Sequence, residues 1–246
     1  MILIANWKAY VEDTKRIKTL LALSKRLARH SEVSLVIAPP APYVGLLSGK
    51  HEPIALAAQD ISATTGGAAT GESTAPTYAS LGVTFAIVGH SERRAMGDTN
   101  DIVSQKISHA LAHDLRPVLC IGETERDSEG RYLAHIRTQI ETAFLPLTQK
   151  ERKQIIIAYE PIWAIGKGAD AAIRASDLSE MVLYIRKVMS DLLPGRSALS
   201  IPVLYGGSVE PENIRILALG TGIDGFLVGH ASVDPIMLPQ LVRALL

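Results

Sequence analysis

The stretch "IIIAYEPIWAIGKG" (155–168) decides how this chain is read. It begins as branched aliphatics in a continuous run, the pattern of a parallel strand covered on both faces. It ends on a carboxylate, Glu160, then passes into Pro161, Trp163 and two glycines. A chain that only had to turn a corner has no use for an acid there. Burial disfavours a charged carboxyl, so an acid at a buried strand end is costly unless paired or used. A general base that removes a proton from carbon wants such a desolvated carboxylate, with its pKa raised. The segment after it has a stiff Pro-Ile-Trp start, a Gly-containing tip and then small residues. That is the composition of a lid moving between two hinges. Taken alone, the segment also fits an ordinary surface loop.

Similar aliphatic runs recur along the chain at 2–7, 33–38, 54–59, 84–90, 116–122, 154–160, 201–206 and 224–229. Between them lie helix-forming stretches, among them 12–29, 98–113, 132–149, 176–193 and 235–245, the last opening on Pro235 after Asp234. Eight strand–helix units in 246 residues have the rhythm of a closed (β/α)8 barrel, and no linker divides residues 1–246 into more than one domain. An open, doubly wound sheet alternates in the same way. The unusual residues favour the barrel. Asn6, Lys8, Gln59, His90, Glu160, Gly206–Ser208 and Gly229 all stand where an aliphatic run stops. In a barrel those positions share one rim.

Composition narrows the partners. The chain is 47% hydrophobic and 5% aromatic, so its core is aliphatic, and 25 basic residues balance 25 acidic ones. With no basic excess, neither nucleic acid nor an anionic membrane is expected as a partner. The single cysteine, Cys120, excludes an internal disulfide and a multi-cysteine metal site. "MILIANWK" is too short for a signal-peptide core and no run approaches membrane-spanning length, so a cytoplasmic protein is expected.

The rim residues carry chemistry of two kinds. "LYGGSVEPEN" (204–213) and "FLVGHASVDP" (226–235) each end a strand on glycine before a turn into a helix. Backbone N–H groups converge on anions at such turns. Barrels often hold phosphate with the loops after their last two strands. In "AIVGHSERRA" (86–95), His90 closes a strand and Ser91–Glu92 open a helix. Positive potential at a helix N-terminus disfavours a protonated imidazole. A neutral ring can donate to a carbonyl and shuttle a proton, although a structural His bonded to a loop carbonyl fits this fragment as well. Glu92, Arg93 and Arg94 read as a charged helix face or an ion-pair network. Asn6 and Lys8 are two apart, so period-two alternation points them the same way.

Assembled in order, these motifs resemble the triosephosphate isomerase family along the whole chain. The matching segments are "NWK" (6–8), "TGE" (70–72), "GHSERR" (89–94), "CIGE" (120–123), "AYEPIWAIGKG" (158–168), "YGGSV" (205–209) and "LVGHAS" (227–232). The resemblance implies a TIM barrel that interconverts dihydroxyacetone phosphate and D-glyceraldehyde 3-phosphate through an enediolate, in glycolysis and gluconeogenesis, with no cofactor and no metal. Glu160 would shuttle the proton and neutral His90 would polarise the carbonyl, with Lys8 and Asn6 stabilising negative charge. That pairing of a Glu base with a neutral His behind a closing loop is a documented pattern of this family. Gly166, Ser208, Gly229 and His230 would hold phosphate through their N–H groups. In the lid that starts at Pro161, Tyr205 would latch the closed form near Ala171, and Glu123 would hold Trp163 when it is open. Residues 59–72 resemble a docking loop of a homodimer, in which Thr70 would meet the partner's Asn6 and Glu72 the partner's Arg93.

The chain departs from the family pattern at His230, where a second glycine is common, and at Lys167, where a small neutral residue is usual. Asp170 stands in the distal hinge, and "ERRAMGD" (92–98) is one residue shorter than usual. A Schiff-base lyase or aldolase on the same scaffold would need a desolvated Lys inside the barrel. Lys8 is the one Lys at a strand end and sits beside Asn6. A non-catalytic phosphometabolite-binding barrel would be expected to lose the base or the imidazole, and both are present.

Overall fold

The computed structural model describes residues 1–165 and 173–246. Eight parallel strands close on themselves in sequence order: β1 (Ile2–Asn6), β2 (Ser34–Ala38), β3 (Ala55–Ala58), β4 (Phe85–Val88), β5 (Arg116–Ile121), β6 (Ile156–Tyr159), β7 (Val203–Tyr205) and β8 (Gly225–Val228). Pairing of Ile2–Ala5 with Gly225–Val228 joins the first strand to the last and closes the barrel. The open sheet is therefore excluded. Every aliphatic run forms a strand, one to three residues shorter than the run.

Between the strands lie α1 (Thr14–Arg29), α2 (Ala41–Leu47), α3 (Ala75–Ser80), α4 (Ser91–Ala95), α5 (Asn100–Ala112), α6 (Arg131–Phe144), α7 (Gln149–Arg152), α8 (Ala175–Leu192) and α9 (Ile214–Ala218), and α10 (Met237–Ala244) follows β8. Two expected helices differ from these. The stretch 132–149 splits into α6 and α7, because Pro146 stops the first and a capping box starts the second. There Thr148 Oγ1 accepts the Glu151 N–H, and Glu151 Oε2 accepts the Thr148 N–H. The last helix begins at Met237 rather than Pro235, because Asp234 Oδ1 accepts the N–H groups of Ile236 and Met237 in a turn before it.

Strand alternation sorts the core into two bodies. Ile4, Val36, Ala38, Ala57, Ile87, Val118, Cys120, Ile156, Ala158, Leu204 and Leu227 fill the barrel interior. Their neighbours, such as Leu3, Ala5, Ile157 and Tyr159, pack outward against the helices. This parity carries past the strand ends. Asn6, Gln59, Gly122, Glu160, Gly206 and Gly229 each stand two residues beyond an interior position, at the C-terminal rim where barrel sites are built.

Candidate active site

The site starts at the end of β1. Asn6 is 4% exposed, and its Oδ1 accepts the N–H of Lys8 at 3.1 Å. Period two is not what places Lys8: the strand stops at Asn6, and Lys8 takes φ +44°, a left-handed conformation unfavourable for a side chain with a Cβ. Surrounding bonds enforce it. Gln59 Nε2 donates to the Lys8 carbonyl at 3.0 Å and to the Ala38 carbonyl at 2.9 Å. The Lys8 ammonium reaches Glu92 Oε1 at 2.7 Å across the barrel mouth. Burial pushes the Glu92 carboxyl up, but the bond and charge of Lys8 outweigh it and hold the group below its ordinary value.

At the end of β4, parity alone would aim His90 outward with Ala86 and Val88. Gly89 prevents this by taking φ +72°, which glycine adopts without penalty. His90 becomes the N-cap of α4: its Nδ1 accepts the N–H of Glu92 at 3.2 Å, which leaves Nε2 as the donor into the barrel. That Nε2 lies 3.3 Å from Glu160 Oε1. The other Glu160 oxygen accepts the N–H of Ser91 at 3.0 Å.

Glu160 is 2% exposed, and among the described residues no Lys or Arg lies within ion-pair distance of it. Its backbone is fixed because its N–H donates to the Ile121 carbonyl and the Tyr159 carbonyl accepts from Gly206. Gly122 makes this close approach feasible, since a Cβ there would stand 1.9 Å from the Glu160 carbonyl oxygen. Cys120 lies beneath, its thiol pushed well up by burial and by the Glu160 charge. Arg94 is not part of an exposed charged face. It turns inward and donates to the carbonyls of Gly89 and Cys120 and to Asn100 Oδ1.

A cavity of about 500 Å³ opens in front of these groups, lined by Asn6, Lys8, His90, Glu92, Gly206–Ser208, Glu210, Gly229 and His230 among others. Glu160 does not itself line it. The structure thus brings Ser208, Gly229 and His230 together with the acid–base residues, whereas Gly166 lies outside the described residues. His230 opens a short 3-10 turn, His230–Val233, and is not among the described non-glycine residues with positive φ. The position therefore carries no strain of the kind a replaced glycine could bring.

Beside the cavity stands a cluster around Glu123, which is 2% exposed. Its Oε1 accepts from Tyr159 OH at 2.8 Å, Trp163 Nε1 at 2.9 Å and Arg126 Nε at 3.2 Å. Arg126 also lies over the rings of Trp163 and Tyr132, 5.3 and 5.5 Å from their centroids. Sequence reading missed Arg126, because "ETERDSEG" (123–130) looks like a solvated charge run. Pro161 leads into a 3-10 turn, Ile162–Ala164, and the Ala164 carbonyl accepts the Ser208 hydroxyl at 2.9 Å. The Tyr205 hydroxyl is buried; burial pushes the phenol up, and the backbone N–H of Ile173 opposes the rise. Lys167, Asp170 and Ala171 lie outside the described residues. Thr70 and Glu72 sit exposed on the loop before α3, away from the cavity, and Arg93 pairs with Asp60 at 2.9 Å.

Among the described residues no group of three or more His, Cys, Asp or Glu is arranged to hold a metal, and no helix is long and apolar enough to cross a membrane. Fold and site define a (β/α)8 barrel with an imidazole and a carboxylate behind a mouth lined by glycine turns.

The model of a family described as triosephosphate isomerase matches residues 1–245. Curated proteins named triosephosphate isomerase are similar over nearly their whole length. One from Moorella thermoacetica is 36% identical, with 98% of this chain and 97% of that protein covered. One from a Roseiflexus species is 38% identical, with 99% and 97% covered. One from Dictyoglomus turgidum is 35% identical, with 99% and 98% covered. The chain belongs to the triosephosphate isomerase family.

Proposed function

We propose that this chain interconverts dihydroxyacetone phosphate and D-glyceraldehyde 3-phosphate, with residues 1–246 acting as one catalytic domain in glycolysis and gluconeogenesis. The observation that carries the reading is a buried, cation-free carboxylate 3.3 Å from the donor nitrogen of a capping imidazole. Glu160 takes a proton from the carbon beside the substrate carbonyl. The C–H electrons form the enediolate double bond, and the carbonyl π electrons move to oxygen. His90 Nε2–H donates to that oxygen and passes protons between the two oxygens, while Lys8 and Asn6 stabilise its negative charge. Glu160 then returns the proton to the neighbouring carbon.

In this structure Glu160 is held by Ser91 and set back from the cavity, so the base must leave the Ser91 N–H to reach substrate. The bound phosphate would rest on backbone N–H groups of Ser208, Gly229 and His230, joined by Gly166 when the lid closes. Closure carries Pro161, and Glu160 with it, towards the substrate and excludes water. The Glu123–Trp163 bond belongs to the open lid. Tyr205 would latch the closed form near Ala171, and Lys167 and Asp170 would set how readily it moves.

The chain works in the cytoplasm as a homodimer. Thr70 and Glu72, exposed in the loop 59–72, support that assembly and would meet Asn6 and Arg93 of a second copy. The alternatives are weaker. An aldolase lysine needs a desolvated, unpaired amine, whereas Lys8 is paired with Glu92. The test is isomerisation of glyceraldehyde 3-phosphate by purified protein in the presence of a metal chelator. Rapid turnover is expected. No turnover by folded protein that still binds phosphate would overturn the reading in favour of a binding barrel.

A further inference from the structure

The charge around the cavity is unfavourable for the ligand proposed for it. A phosphate ester is a monoanion or dianion near neutral pH. Among the described residues the cavity wall carries one permanent cation, Lys8, and that ammonium is already paired with Glu92. A second carboxylate, Glu210, lies on the wall in the loop after β7, and its side chain makes no hydrogen bond or ion pair among the described residues. The third carboxylate, Glu160, stands just behind. With both imidazoles neutral, the acids outnumber the bases around a site that must attract an anion. His90 is committed to accepting the Glu92 N–H through Nδ1. That leaves His230.

His230 is exposed, and its ring meets that of Tyr10 edge to face at 5.8 Å between centroids and 83° between planes. This contact fixes the ring from the β1 side while leaving it on the cavity wall. Two carboxylates bear on it. Glu210 faces it from the loop after β7; burial raises that carboxyl, and attraction to His230 opposes the rise. Asp234 closes the turn that His230 opens. Its carboxyl is held down first by the Met237 and Ile236 N–H groups, with smaller contributions from His230 and Arg16. Among the described residues, Lys8 is the remaining charged group of the wall on this side. Its long stem packs against Gly229, where a Cβ would stand 3.2 Å from Lys8 Cε.

We propose that His230 is a specificity-determining residue of the phosphate subsite. Its protonated imidazole supplies the positive charge an anionic substrate needs there, and Glu210 opposes it, so affinity for phosphate falls as the imidazole loses its proton. The inference rests on the isomerase reading only for the identity of the substrate; the subsite it describes takes a phosphate group. Glu210 repels the anion directly, and a charge on the imidazole offsets that repulsion. With His230 protonated the pair is close to neutral, and with His230 neutral the carboxylate repels the anion unopposed.

The experiment is calorimetric binding of inorganic phosphate to the wild type, His230→Asn, His230→Gln and Glu210→Gln from about pH 5.5 to about 8.5, the range in which histidines ordinarily titrate. Phosphate's own titration is common to all four proteins and cancels in the ratio of their dissociation constants. The ratio of His230→Asn to wild type is expected to rise from near one at the alkaline end to about fivefold at the acid end, as suits a solvent-exposed charge interaction. His230→Gln, which keeps a donor but cannot be charged, should follow His230→Asn. Glu210→Gln should bind more tightly than the wild type, and most clearly at the alkaline end. The KM for glyceraldehyde 3-phosphate should repeat the same ratios, with the change in KM rather than kcat. A ratio that stays flat with pH would overturn the inference, because His230 would then serve only through its backbone N–H. Isomerisation together with a flat ratio would sink this inference alone. A pH-dependent ratio without isomerisation would keep the subsite and sink the isomerase reading.

Discussion

Glu123 and Glu160 stand just beyond the ends of neighbouring strands, both 2% exposed, yet their surroundings have little in common. Glu123 follows the outward parity of β5 and enters the helix layer. One of its oxygens accepts from a phenol, an indole and a guanidinium. Glu160 follows the inward parity of β6 and faces the barrel mouth. It has one backbone N–H and an imidazole at 3.3 Å. The contrast separates a carboxylate that the fold uses from one that it leaves available. A buried acid surrounded by donors is locked in place; one with few donors and no cation has little to give up when it turns to a substrate.

Four substitutions test that contrast, in descending order of expected effect. Glu160→Gln, nearly isosteric, should lower kcat about 10³-fold, as loss of a general base does, while thermal unfolding stays close to the wild type. A large fall in melting temperature with kcat preserved would reverse the roles assigned to the two acids. Gly122→Ala, between the two sites, puts a Cβ 1.9 Å from the Glu160 carbonyl oxygen, so backbone must shift. Both stability and turnover should drop, and unchanged kinetics would show that the position of Glu160 is not critical.

Glu123→Ala strips three donors of their acceptor and should destabilise the fold by about 3 kcal/mol, measured by urea unfolding. Its kcat should fall far less than that of Glu160→Gln. A smaller effect is expected from Arg126→Met, which keeps the stem over Trp163 but removes the cation–π contact, worth about 1 kcal/mol. It also removes the bonds to Glu123 and Tyr159, while leaving Glu123 its two other donors. A change in Trp163 fluorescence with a small stability loss is expected; fluorescence identical to the wild type would mean the guanidinium does not hold the indole.

How much of this was readable from residue types depends on what builds each part. Strand ends were legible because aliphatic runs stop at polar residues, and barrel parity then collects Asn6, Glu160, Gly206 and Gly229 without further information. The turns were less so. Lys8 reaches the cavity through a left-handed backbone held by Asn6 and Gln59, and His90 reaches it through Gly89; period-two alternation describes neither. The Ser91 N–H that holds Glu160 was invisible, because every non-proline residue has that donor and only geometry shows which one is used. The break at 145–148 did have a signal: Pro146 followed by Thr148 and Glu151 in capping-box spacing. Arg126 had none, since a guanidinium between two rings and a solvated one look alike in a charged loop.

The most direct test of Glu160 as the base is to run the isomerisation in deuterated water and follow the hydrogen at the reacting carbons by NMR. A carboxylate that holds the abstracted proton can exchange it with solvent before returning it. The account predicts deuterium on carbon in the product of the wild type, and none above the uncatalysed rate with Glu160→Gln. Isomerisation or deuterium uptake by Glu160→Gln as fast as by the wild type would contradict a base at Glu160.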